Sequence, residues 1–171
     1  MEKVDVYNIR RENMNNFKER GKLEEGEYSI SVHVWILDGK NIRIQKRSAN
    51  KKIFPNLWEQ SGGGVISGET SLDAVKREIQ EELGISLENN EITYIGSYTR
   101  VKDIVDVWMV QKTMPYDKIK MQQEEIDSIK SVTFKEFEKM IKNGEVVPTI
   151  NPSYFLLKNY CKVYMRGKFW R

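Results

Sequence analysis

The stretch Gly63–Ile85, GGVISGETSLDAVKREIQEELGI, decides how the rest of this 171-residue chain is read. It opens on glycines, passes a single acid at Glu69, and runs into a helix carrying Arg77, Glu78, Glu81 and Glu82. Glycine lets backbone come close to a phosphate because no side chain intervenes. Carboxylates gathered on one helix face suit a hard divalent cation, which takes oxygen ligands. Together the two features point to metal-assisted chemistry on a phosphorylated substrate.

The spacing predicts a helix over Ser71–Leu83. Thr70 or Ser71 is placed to cap it, Asp73 falls in its first turn, and Gly84 follows its last residue. With Leu72 at zero and about 100° per residue, Val75, Ile79 and Leu83 join it in a stripe roughly 80° wide, the expected core face. On the same wheel Glu81, Glu78 and Glu82 fall at roughly 180°, 240° and 280°, beside that stripe. Like charges three and four residues apart repel by a few tenths of a kcal/mol per pair, and Arg77 can offset only part of this through Glu81. A bound Mg²⁺ or Mn²⁺ would turn the repulsion into ligation. By itself EIQEEL reads equally well as a solvated acidic face. The fixed distance to the glycines sets it apart.

Working upstream, YSISVHVWIL (Tyr28–Leu37) alternates as a strand, with Ile30, Val32, Val34 and Ile36 on one side and Ser31, His33, Trp35 and Leu37 on the other. Asp38-Gly39 turns it into a partner strand, Asn41–Arg47. Leu57–Gly62 is a short strand feeding the glycines. Residues 1–27 read as one loose strand around Val4–Ile9 followed by turn and loop, punctuated by Gly21 and Gly26. Downstream, Glu91–Arg100 and Ile104–Lys112 form a hairpin. A loop over Met114–Gln123 leads to a strand at Ile126–Val132. A helix follows at Phe134–Lys142, capped by Thr133 and stopped at Asn143-Gly144, and a last one at Pro152–Tyr164. Strands, one acidic helix, more strands and closing helices give an α+β fold, a mixed sheet with helices packed on it. The length suits a single domain over residues 1–171, with a core at about 28–145 and the N-terminal extension and C-terminal helix packed on it.

The charge balance is 28 basic against 25 acidic residues, and the basic residues are scattered, which argues against a nucleic-acid partner. One cysteine, Cys161, excludes an internal disulfide and fits a reducing compartment. It reads as a packed or half-buried thiol. The N-terminal segment is charged from its second residue and has no signal-like apolar run, and Tyr28–Leu37 is too short to span a membrane. A cytoplasmic protein without a membrane partner is expected.

The gaps are regular: Gly63, five residues, Glu69, seven residues, Arg77-Glu78, apolar Ile79, Gln80, Glu81-Glu82, Leu83, Gly84, apolar Ile85. This resembles the signature of the Nudix (MutT-like) family at every defining position. VHVWI, IQKRS and FPNLWE upstream are similar to the branch that holds isopentenyl-diphosphate isomerase and its hydrolase-like relatives. The resemblance implies a Nudix-type α/β/α sandwich around a central mixed sheet. It also implies a Mg²⁺- or Mn²⁺-dependent pyrophosphohydrolase acting on a small, nucleotide-like diphosphate, by attack of water on phosphorus.

Carried over by position, Glu81 and Glu82 are metal ligands, and Glu78 is a ligand or the group that orients or deprotonates water. Arg77 holds the glutamates, and Glu69 braces the loop or the outer metal shell. The carbonyl of Gly62 or Gly63 adds a ligand, and Gly62 and Gly64 offer backbone to the substrate. Glu124 or Glu125, in QQEEID, is the candidate for a further acid, with Glu125 the metal ligand and Glu124 supporting it. Lys46, Arg47, Lys51 and Lys52 could clamp the diphosphate or form a solvated basic loop. Trp58, like Trp35 and Trp108, could stack on a base or pack in the core, and His33 could touch substrate or serve the fold.

Two other readings remain. An isomerase would need the cysteine and histidines its family relies on, and WEQSGGGV holds neither. A nucleotide-binding module without catalysis would have no need of intact box glutamates. The C-terminal aromatics Tyr160, Tyr164, Phe169 and Trp170 could cover a second copy in a homodimer as easily as their own core.

Overall fold

Val4 and Val6 alternate with polar residues and are fully buried, which pins the first strand, β1 (Lys3–Tyr7), against the body of the protein. The structure, a computed structural model, describes residues 2–165. β1 pairs antiparallel with β2 (Asn13–Glu19), from Lys3↔Glu19 to Tyr7↔Asn13. The sequence reading placed turn and loop where β2 lies. NMNNFKE carries no apolar alternation because nearly all of it faces solvent. Its strand conformation comes from the backbone edge that β1 offers.

The central sheet is built on β3 (Ser29–Asp38), buried on both faces over residues 34–37, where it lies between two helical layers, and on alternate residues before that. At its end, Ile36–Asp38 pairs antiparallel with β4 (Asn41–Arg47) across the Asp38-Gly39 turn. Nearer its start, Ser31–Val34 pairs instead with β6 (Ser61–Gly64). Between them β5 (Trp58–Glu59) pairs with β4. β4 therefore diverges from β3, and β6 fills part of the opening. After β6 comes α1 (Ser71–Leu83) and then the hairpin of β7 (Ile92–Thr99) and β8 (Asp103–Gln111). β8 runs parallel to β3 from Ser29↔Asp103 to Leu37↔Gln111. The hairpin chain then returns through β9 (Ile126–Val132), antiparallel to β4, to α2 (Phe134–Lys142) and α3 (Asn151–Tyr164).

Two cores sit on the two faces of the sheet. Val32, Val34 and Ile36 meet Val75, Ile79 and Leu83 of α1 on one side. Trp35, Val107 and Met109 meet Phe137 of α2 and Leu157 of α3 on the other. Trp35 lies edge-on to Phe137 at 5.5 Å and donates its indole N–H to Ser153 Oγ at 2.6 Å. Trp35 is thus a core residue, as is the fully buried Cys161, whose thiol burial pushes up to about 11. The fold is the expected α/β/α sandwich around a mixed sheet. Among the described residues no helix is long and apolar enough to cross a membrane. Tyr160 and Tyr164 stack at 4.8 Å on α3, while Phe169 and Trp170 lie outside the described residues.

Candidate active site

α1 begins at a full capping box: Thr70 Oγ1 accepts from the Asp73 N–H, and the Asp73 carboxylate accepts from the Thr70 N–H. Gly84 ends it in the left-handed conformation, φ 69°. With both ends fixed, the register of its acidic residues against β6 is fixed too. The buried arc is shifted from the one the wheel suggests. Ala74 and Glu82 are buried, whereas Leu72 is half-buried. The cause is β6, whose glycines let α1 approach on the glutamate side.

Glu82 points at the start of β6. Its Oε2 accepts from the Gly62 N–H at 3.3 Å, and its Oε1 from Gln45 Nε2 at 2.8 Å. Gln45 Oε1 in turn accepts from Ser61 Oγ at 2.8 Å. Gly62 sits at φ 149°, and a Cβ there would overlap the Val32 carbonyl oxygen, so only glycine fits. One residue on, a Cβ at Gly63 would overlap the Glu78 carboxylate. Glu78 and Glu82, four apart on the helix, thus lie against consecutive glycines.

Arg77 organises the rest. Its Nε and Nη2 hold the Glu69 carboxylate at 2.9 and 3.1 Å, and Nη2 also donates to the Gly64 carbonyl at 2.9 Å. Its Nη1 reaches Glu78 Oε1 at 2.9 Å and Glu81 Oε2 at 3.0 Å. Glu69 accepts as well from the Ile66 N–H at 3.1 Å, tying the loop to the helix. Glu81 is about half exposed.

The loop after β4 brings further charge. Arg47 Nη1 donates to Glu59 Oε1 at 2.7 Å, and its Nε to the carbonyls of Ile53 and Phe54. Lys51 contacts the Glu125 carboxylate. Burial and Arg47 depress its ammonium, opposed by the charges of Glu59, Glu82 and Glu78. Glu124 is exposed, Lys52 is exposed, and Lys46 lies 3.9 Å from Asp127. Trp58 packs on the α2/α3 side of the sheet, with Lys130 over its ring at 4.0 Å. The structure thus brings Glu78, Glu82, Gly62, Gly63, Lys51 and Glu125 to one region. It places Lys46, Lys52, Trp58 and Glu124 at its margin or beyond.

Where β4 leaves β3, a cleft of about 750 Å³ opens, lined by Gly62–Gly64, Glu59, His33 and Arg20, with Phe54 and Ile150 on its rims. His33 lies 3.3 Å from the Tyr98 hydroxyl, and burial, then Arg100, hold its pKa down to about 3, so it is neutral at ordinary pH. Three residues the sequence reading missed belong here: Glu59, Gln45 and Arg20. Glu59, just upstream of the glycines, was visible as an acid in WEQSGGG. Gln45 shows only as a polar residue inside a strand, and no local pattern marks Arg20.

Glu78 and Glu82 offer carboxylate oxygens, the donor a hard divalent cation takes, and the described residues contain no preformed group of three acids, histidines or cysteines around them. Burial pushes Glu82 up to about 8, against its bond from Gln45 and with help from the charges of Glu78 and Glu59. Burial raises Glu78 and Glu59 as well, each opposed by its arginine partner. Crowded acids under such strain are stabilised by a cation, so the residues fit a divalent metal.

Residues 21–150 match the family described as the NUDIX domain. An uncharacterized Nudix hydrolase of Listeria monocytogenes is 36% identical over 160 residues, covering 92% of each chain. Nudix hydrolase 3 of Arabidopsis thaliana is 30% identical over 161 residues, 84% of this chain and 21% of that one. The crystal structure of DR0079 from Deinococcus radiodurans superposes with a TM-score of 0.76 over 93% of this chain and 99% of the other, at 22% identity.

Proposed function

The chain belongs to the Nudix hydrolase family, enzymes acting on phosphorus-containing anhydrides, and from that premise we propose that it is a divalent-metal-dependent pyrophosphohydrolase. Its substrate is a nucleoside diphosphate linked to another moiety. The observation that carries this reading is the pairing of Glu78 and Glu82 with Gly63 and Gly62 at the edge of an open cleft.

Glu82, Glu78 and the carbonyl of Gly62 or Gly63 would hold the metal, with Glu81 and Glu125 as further oxygen donors and Glu59 within reach of their charge. When bound, the cation lowers the pKa of water and offsets negative charge on phosphate oxygens. Arg77 keeps Glu78 and Glu81 from turning outward, and through Glu69 it fixes the loop that carries the glycines. Gln45 aims the Glu82 carboxylate from below. Glu78, the less buried of the two inner acids, would serve either as a metal ligand or as the group that orients or deprotonates the attacking water. His33, neutral and already partnered by Tyr98, has no charge to offer a phosphate. Cys161 lies in the core on the far face of the sheet, which leaves no thiol for isomerase-type chemistry.

The test is a panel of ADP-ribose, dinucleoside polyphosphates, NADH, CDP-alcohols, nucleoside triphosphates and capped RNA, assayed with Mg²⁺ and Mn²⁺. Hydrolysis of at least one diphosphate is expected, and Glu78→Gln should lose nearly all of it. No turnover on any member, with no thermal stabilisation by either metal, would favour a binding module.

A further inference from the structure

Gly64 also makes room for a side chain, and that side chain comes from outside the family-matched residues. A Cβ there would overlap the guanidinium of Arg20. Arg20 directly follows β2 and precedes the matched span 21–150. Its backbone N–H donates to the Glu2 carbonyl at 2.9 Å, and its Nη1 lies 3.1 Å from Glu2 Oε2. The side chain is about half exposed and lines the cleft beside Gly62, Gly63 and Glu59. Its charge is felt at Glu78.

The hairpin that carries it is anchored to the site rather than merely adjacent. Asp5 accepts from Ser67 Oγ and from the Gly68 N–H at 3.1 Å, and the Ser67 N–H donates to the Lys3 carbonyl at 2.9 Å. Those residues belong to the loop between the glycines and α1. Arg11 forks onto the fully buried Asp106 with two bonds of 2.5 Å.

Apart from the exposed Lys102, the other cations around the cleft hold carboxylates. Arg77 holds three carboxylates and a carbonyl, Arg47 holds Glu59 and two carbonyls, Arg100 holds Asp103, Lys102 holds the Glu24 carbonyl and Lys51 holds Glu125. Among the described residues Arg20 is tied only to Glu2, itself about half exposed. A solvated pair of that kind is worth little and exchanges readily. A guanidinium's planar fork matches two phosphate oxygens. We propose that Arg20 binds the substrate's diphosphate directly, so that the N-terminal hairpin is part of the active site. This rests on the pyrophosphohydrolase reading.

The experiment measures binding of imidodiphosphate, a non-hydrolysable diphosphate, in the presence of Mg²⁺, together with KM and kcat on the best panel substrate. Arg20→Ala should weaken imidodiphosphate by roughly tenfold or more, the loss expected for a charge-assisted pair. KM should rise, while ligand-free melting and stabilisation by Mg²⁺ alone stay as in the wild type. Arg20→Lys, which keeps charge without the fork, should fall between. Gly64→Ala should weaken binding by displacing the guanidinium, and should add nothing in the Arg20→Ala background. Wild-type affinity in Arg20→Ala overturns the proposal and leaves the hydrolase reading standing. If Arg20→Ala melts lower without ligand, Arg20→Lys decides: wild-type affinity there overturns the proposal, reduced affinity with unchanged melting supports it. A wild-type protein that neither binds imidodiphosphate nor cleaves any diphosphate overturns both.

Discussion

Glu82 concentrates the chemistry of the site in one ionisable group. Its carboxyl would titrate at 4.5 in the unfolded chain and at about 8 in the native one. Between those values the native state holds a proton that the unfolded state releases, so stability falls as pH rises through the window. His33 acts oppositely. Its ring takes a proton at 6.5 when unfolded but only at about 3 when buried, so stability falls as pH drops below 6.5. From these two groups the metal-free protein should be level between about pH 4.5 and 6.5 and lose stability from there to pH 8. Thermal melts in EDTA check this, and Glu82→Gln should flatten the loss above pH 6.5. The same variant should melt no lower than wild type without metal, yet lose most of the stabilisation that millimolar Mg²⁺ confers. A pH slope that survives Glu82→Gln would assign it to another group. Helical spacing placed Glu82 beside the core stripe; that it is buried was not legible, because burial depends on how closely β6 lets the helix approach.

Elements whose boundaries rest on local chemistry were the most readable. α1 is capped by Thr70 and Gly84, and α2 by Thr133 and Asn143, because caps and breakers act within one turn. Each capping box satisfies helix N–H groups that would otherwise lack partners. Thr70→Ala should therefore cost about 1 kcal/mol in urea unfolding. It should also weaken Mg²⁺ binding modestly by loosening the first turn behind Arg77. Strand β2 escaped reading for the opposite reason. Its side chains are polar and exposed, so nothing in NMNNFKE distinguishes strand from loop until β1 supplies a hydrogen-bonding edge. The segment at Leu57–Gly62 also divided in two, since β5 pairs with β4 while β6 crosses to β3.

For the whole molecule, the N-terminal hairpin is fastened to the central sheet by Arg11 and Asp106, residues 95 positions apart. Asp106 is fully buried, so Arg11→Ala strands a charge in the interior. Because Arg11 is partly in solvent, the cost should be on the order of 2 kcal/mol, below that of a fully buried pair. Adding Asp106→Asn should recover part of it. Guanidinium denaturation of the two variants and their combination measures both values, and full additivity would show that the pair does not couple. The sequence by itself determined the box, its helix and the alternating strand at its back, because capping, periodicity and exact spacing are properties of near neighbours along the chain, and the α/β/α layering was implied only by the resemblance the box carries. Tertiary structure alone decided which side chains surround the box. Gln45 beneath Glu82, Glu59 beside it and Arg20 over Gly64 come from β4, β5 and the residue after β2, and each is placed by pairings between distant segments whose energies no local pattern records.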